Sequence, residues 1–204
     1  MRNNTGLSRR VFLSLAAAFA AAAIQPTRIW ATMTMDAATN VVARLVGELY
    51  TVINSGRPEA QMYSEFEDLL DRYADMPIIA QSVLGADWRR ASDGQRRTFV
   101  NVFKAYISRK YGSRFRDLVG GRIEVEGSRT IRSFFEVTSV AHLRGEAPFE
   151  IVWLVSDGSG EARIFNLIIE GINLRTTEAE EVGALLDRNR GDIDAMIADL
   201  RNAS

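Results

Sequence analysis

The chain has 204 residues, with 25 basic and 26 acidic side chains, one histidine and no cysteine. The lack of cysteine excludes disulfides, thiol chemistry and Cys-ligated metals, and a lone His142 puts a catalytic triad or a histidine-rich metal site out of reach. A balanced charge without a basic stripe lacks the footprint of a nucleic-acid binder, so no nucleic acid is expected as a partner.

The first segment reads as an address label. Arg2, Arg9 and Arg10 precede an apolar run from Val11 to Ile24, and Ile29-Trp30-Ala31 ends in a small residue suited to signal cleavage. The run is shorter than the roughly 20 residues a spanning helix needs. Ser8-Arg9-Arg10-Val11-Phe12-Leu13 resembles the twin-arginine export signal of bacteria. Residues 1–31 are therefore expected to be a cleaved signal, and 32–204 a single domain exported to the periplasm. Without Arg2, Arg9, Arg10 and Arg28 the remainder has 21 basic against 26 acidic residues, a net charge of −5.

Beyond the signal, Ala38, Val41, Val42, Leu45, Leu49, Val52 and Ile53 recur at helical spacing, and Asn54 to Pro58 breaks the pattern. Met62, Phe66, Leu69, Leu70 and Tyr73 mark a second helix. Asp75-Met76-Pro77 starts a third, short one, which Gly85 stops. Ser92 to Gln95 is a capping box. It opens the longest helix, with Phe99, Phe103, Tyr106, Ile107, Tyr111, Phe115 and Leu118 along one side, expected to end at Gly120-Gly121.

The period then changes from helical to alternating. Strands are expected around Ile123–Glu126, Phe135–Ala141, Phe149–Ser156 and Arg163–Glu170, with Asp157 to Gly160 as a hairpin turn. Ile151 to Val155 is apolar on both faces, as is the run from Phe165 to Ile169, so cover on both sides of the sheet is expected. Two helices close the chain, the second carrying Ile193, Met196, Ile197 and Leu200. The order predicts an α+β fold, with several helices packed around a twisted four-stranded antiparallel sheet.

Catalytic groups are scarce. No glycine-rich phosphate loop or calcium ladder is present in the sequence. Glu136, Glu150 and Glu170 fall on or at the end of strands, where edge positions in solvent account for them. The positive feature is aromatic: two-sided apolar strands beside an aromatic-faced helix are able to enclose a cavity. Its expected lining comes from Val83, Leu84, Phe103, Tyr106, Ile107 and Phe135. Val137, Ile151, Trp153, Phe165, Leu167 and Ile169 complete it.

The segment YADMPIIAQSVLGADWRRASDGQRRTFVNVFKAYISRKYGSRF, Tyr73 to Phe115, resembles the MlaC or toluene-tolerance family, the periplasmic lipid-binding components attached to the Mla transport system. Ile164 to Leu174 and the closing GDIDAMIADL are similar to that family's last segment. Val83-Leu84-Gly85, Trp88-Arg89 and Glu170-Gly171 carry the likeness most specifically. The resemblance implies an α+β, NTF2-like cone around an apolar pocket for lipid acyl chains. It also implies a non-enzymatic carrier of phospholipid or a related lipid between an inner-membrane ABC transporter complex and an outer-membrane lipoprotein complex, with cargo and no cofactor. The sequence departs from the family at Ala162, where tryptophan is usual, and at Asn166, where aspartate is usual. It also departs at Glu178, Ala179 and Val182, where a Tyr-Arg pair and a phenylalanine are common. Three alternatives stand beside the carrier: a hopanoid-associated lipid binder, a solid-cored transporter adaptor, and a small-molecule enzyme on a related cone. The last would place Glu136, Glu150 or Glu170 deep beside Tyr106.

Overall fold

Six helices and five strands follow one another among the residues described, 33–114 and 117–203, in a computed structural model of the chain. The expected signal and Phe115 lie outside these residues. The helices are α1 (Met35–Ile53), α2 (Glu59–Tyr73), α3 (Met76–Leu84), α4 (Asp93–Gly112), α5 (Leu174–Arg188) and α6 (Ile193–Asn202). The strands are β1 (Arg122–Ile131), β2 (Phe134–His142), β3 (Phe149–Ser156), β4 (Arg163–Ile169) and β5 (Ile172–Asn173), between α4 and α5.

Local chemistry sets the helix starts. The Thr34 hydroxyl accepts from the Ala37 amide, the Asp75 carboxylate from Ile78, and Ser92 and Gln95 satisfy one another's amides reciprocally. The longest helix ends earlier than its aromatic spacing predicts, at Gly112 rather than Gly120-Gly121. The amide of Ser113 bonds to Arg109 O and that of Arg114 to Tyr111 O, which tightens the last turn. Gly112 itself lies against the Tyr63 ring.

The strands form one antiparallel sheet in chain order, β1-β2-β3-β4-β5. The expected count of four becomes five because Glu170 and Gly171 both have positive φ, 49° and 80°, and form a two-residue turn that pairs Ile169 with Ile172. Val137, Trp153 and Leu167 are cross-strand neighbours and share the inner face. Helix α1 packs across β1 and β2 on that face, and its Val42, Val46 and Leu49 join Val137, Trp153 and Val155 in one core. A second core, around Phe99, Phe103, Met196 and Leu200, holds α3, α4, α5 and α6 together.

The Asp75 amide bonds to Ile164 O at 2.8 Å and Arg163 Nη1 donates to Asp71 O at 2.6 Å, tying the α2–α3 junction to β4. Cover of the opposite face is less complete than the two-sided apolar runs predict. Val152 is buried, but Val140, Leu154 and Ile168 on the same face remain half-buried.

Candidate functional site

Because α1 covers mainly the β1–β2 half of the inner face, the β3–β4 half is left facing α2, α3 and α4 across a gap. That gap is a cavity of about 570 Å³, within the usual range for small-molecule sites. Ile151, Trp153, Leu167 and Ile169 form its sheet wall, and Phe165 and Asn166 extend it along β4. Leu45 and Leu49 of α1, Phe66, Leu69, Leu70 and Tyr73 of α2, Met76 and Ile79 of α3, and Phe103 and Ile107 of α4 supply much of the apolar surface opposite. Trp153 is fixed within the wall: its Nε1 donates to Ser139 Oγ at 2.8 Å, and that hydroxyl donates to Ile151 O at 3.3 Å. The indole therefore offers its apolar body to the cavity with its one polar atom already satisfied.

Seven of the expected lining residues are brought together here: Phe103, Ile107, Ile151, Trp153, Phe165, Leu167 and Ile169. The other five sit elsewhere. Val83 and Leu84 are buried in the helical core under α3, and Tyr106 is buried in the same cluster. Val137 is fully buried in the core that α1 covers, and Phe135 packs against that core half-buried.

The sequence reading missed the lining from α1 and α2, whose apolar stripes were legible but read as ordinary core, and it missed the polar wall. That wall stands where α4 faces α5. Tyr106 Oη donates to Glu181 Oε2 at 2.6 Å; Lys110 Nζ lies 2.7 Å from both Glu178 Oε1 and Glu181 Oε2; Tyr111 Oη donates to Glu178 Oε1 at 2.6 Å. Lys110, Tyr111 and Glu178 line the cavity. Glu178 is buried, and its Oε2 finds no hydrogen-bond partner among the described residues.

Burial, then the bond to Glu181, raises the Tyr106 pKa, and burial, then the bond to Glu178, raises that of Tyr111. Burial works against the Lys110 charge, but Glu178 and Glu181 outweigh it and its pKa is raised. Burial likewise opposes ionisation of Glu181, yet the bonds from Lys110 and Tyr106 leave its pKa lowered. Both phenols keep their protons and the lysine its charge at neutral pH, so the cluster is held by charge-assisted hydrogen bonds to the two carboxylates.

Two departures from the resemblance line the cavity: Glu178 on this wall, and Asn166 on β4, whose Nδ2 donates to Asn173 Oδ1 and whose Oδ1 accepts from the Arg175 amide. The three strand carboxylates stand apart from it. Glu150 and Glu170 are exposed, and half-buried Glu136 pairs with Arg129. His142 is at the end of β2, 3.3 Å from Glu124. Among the described residues no cluster of His, Cys, Asp or Glu is arranged to hold a metal, and no helix is long and apolar enough to cross a membrane.

An open five-stranded antiparallel sheet and the helices over it thus leave an apolar cavity, with Trp153 in its sheet wall and Lys110, Tyr111 and Glu178 as polar groups on its α4–α5 side. The MlaC protein family matches residues 43–202. The chain belongs to the MlaC family. Its fold is similar to that of a phospholipid-binding protein from Ralstonia solanacearum, solved in complex with a phospholipid. That likeness has a TM-score of 0.69 and 19% identity, and covers 81% of this chain and 95% of the other.

Proposed function

We propose that this protein is a periplasmic lipid carrier, which takes acyl chains into the cavity and moves phospholipid between an inner-membrane ABC transporter complex and an outer-membrane lipoprotein complex. The observation that carries the reading is the cavity itself: about 570 Å³ lined mainly by aliphatic and aromatic side chains, in a chain of the MlaC family whose structural neighbour holds a phospholipid. The export signal expected from residues 1–31 supports the periplasmic part of this reading.

The energetics suit a carrier. Withdrawing a methylene from water contributes about 0.8 kcal/mol, so two full acyl chains taken from water would nominally exceed the non-covalent ceiling of about 20 kcal/mol. Lipid drawn from a bilayer has its tails already buried. Net transfer then compares two apolar environments and sits near zero, which permits loading at one membrane and release at another. No bond is made or broken in this cycle, and the protein acts without enzymatic chemistry.

Native mass spectrometry of the protein purified from a bacterial host tests the reading. The expected result is a population carrying one or more lipid masses that disappear on denaturation. A protein that emerges empty, and stays empty after incubation with phospholipid vesicles, overturns it in favour of a transporter adaptor without cargo.

A further inference from the structure

Helices α4 and α5 meet through a ladder of side chains. Tyr106 and Lys110 reach Glu181, and Lys110 and Tyr111 reach Glu178, so the two helices run antiparallel along the cavity wall. The ladder spans that wall from outside to inside. Glu181 is exposed and stands clear of the cavity lining, Glu178 is buried and lines it, and Lys110 ties one to the other.

Apolar packing closes the other end of the seam, where Phe99 and Phe103 of α4 share a core with Val182, Leu185 and Leu186 of α5. In the first half of α5, residues 174–181, Glu178 alone is buried. At the ladder end each helix is fastened to a different element. Ser108 Oγ donates to Tyr63 O at 2.6 Å and holds α4 to α2, while the Arg175 amide donates to Asn166 Oδ1 at 3.3 Å and holds α5 to β4. Parting two apolar surfaces is unfavourable in proportion to the area exposed to water. Parting this ladder exchanges bonds between side chains for bonds to water, which is a small net change. Glu178 Oε2, without a hydrogen-bond partner among the described residues while the seam is closed, is hydrated once it opens.

We propose that the α4–α5 seam is a gate through which acyl chains pass sideways into the cavity, with Lys110, Glu178 and Glu181 as its latch and the core around Phe103 and Leu186 as its hinge. The inference rests on the carrier reading above and adds the route its cargo takes. Opening widens the ladder end, where Lys110, Tyr111 and Glu178 line the cavity, and the tails enter between the two helices. Loading and unloading cross the same barrier. The latch therefore scales both rates by one factor and leaves the partition of lipid between protein and bilayer unchanged.

The chain has no cysteine, so the double variant Lys110→Cys, Glu181→Cys puts its only two thiols across the seam. The variant is loaded with deuterated phosphatidylglycerol and mixed with vesicles of the unlabelled lipid, and native mass spectrometry follows the exchange. Joining the thiols with a short reducible crosslinker after loading is expected to slow exchange by about tenfold or more, and reduction of the linker to restore it. Glu181→Ala keeps the Lys110–Glu178 pair and is the milder change to the fold. It is expected to speed loading and unloading alike by about threefold, with the bound fraction at equilibrium unchanged. Circular dichroism checks that both variants are folded; should the double variant not fold, the Glu181→Ala rates decide. Exchange indifferent to the crosslink overturns the gate, as do Glu181→Ala rates equal to those of the wild type. A shifted bound fraction in Glu181→Ala makes that residue a binding contact and overturns the gate as well. Wild-type protein that takes up no lipid overturns the carrier reading itself, whereas the other outcomes strike the gate alone.

Discussion

Val137 and Leu167 flank the same tryptophan in register, one on each side of Trp153, yet their surroundings differ. Val137 is fully buried beneath α1, whereas Leu167 is half-buried and lines the cavity. A close-packed site resists added volume, typically by 1–3 kcal/mol, because neighbours must leave their rotamer minima. An open cavity accepts it. Val137→Trp is therefore expected to lower stability by about 1–3 kcal/mol. Leu167→Trp is expected to cost less than about 1 kcal/mol while displacing bound lipid. Urea denaturation of delipidated samples checks the first quantity, since bound ligand would otherwise raise apparent stability; copurified lipid checks the second. Equal destabilisation by both substitutions would place Leu167 in packed core and contradict a cavity at β4.

Elements were legible where their signals are local. Capping residues at Asp75 and Ser92, the alternation of β2 and the turn at Asp157 to Gly160 are written within a few positions of where they act, and the α+β order follows from them. What failed to show was long-range. No periodicity says that α1 lies over β1 and β2 and so removes Val137 from the cavity. The polar wall joins Lys110 to Glu178, 68 positions apart, and neither residue alone signals a pair. The fifth strand was missed because Glu170-Gly171 reads as the end of β4 until both residues are seen to take positive φ. The early stop of α4 has a similar origin. A β-carbon at Gly112 would lie 2.6 Å from Tyr63 Cδ1, so the close approach of α2 and α4 depends on a residue without one. Alanine in a helix interior gains about 1 kcal/mol over glycine in propensity, but the clash costs about 1–3 kcal/mol. Gly112→Ala is expected to be net destabilising by thermal melting. A raised melting temperature would mean that the Tyr63 ring moves freely and that this contact does not set the helix end.

For the molecule as a whole, the α4–α5 network predicts how stability depends on pH. The pKa values of Tyr106 and Tyr111 are raised above 10.0 and that of Lys110 above 10.5. For such groups the stabilisation is complete below the unfolded value and is lost as pH climbs from there through the folded value, because the unfolded chain releases its proton first. Glu181 has a lowered pKa against an ordinary 4.5. Its contribution is present above that value and is lost as pH falls through it toward the folded pKa, because the unfolded chain then binds a proton that the ion pair with Lys110 resists. The delipidated protein should accordingly show a plateau from about pH 5 to pH 9.5, with stability declining on both sides. Each limb has its own control. Tyr106→Phe and Tyr111→Phe remove an ionisable phenol and should flatten the alkaline limb. Lys110→Gln removes the cation that holds Glu181 ionised and should flatten the acid limb while lowering stability at neutral pH, since Glu178 is then left buried without its counter-charge. Denaturation curves at a series of pH values give the limbs, and tyrosinate absorbance reports the phenols directly. Ordinary ionisation of all five tyrosines near pH 10 in the folded protein would mean that the ladder between α4 and α5 is open in solution, and the wall it builds along the cavity with it.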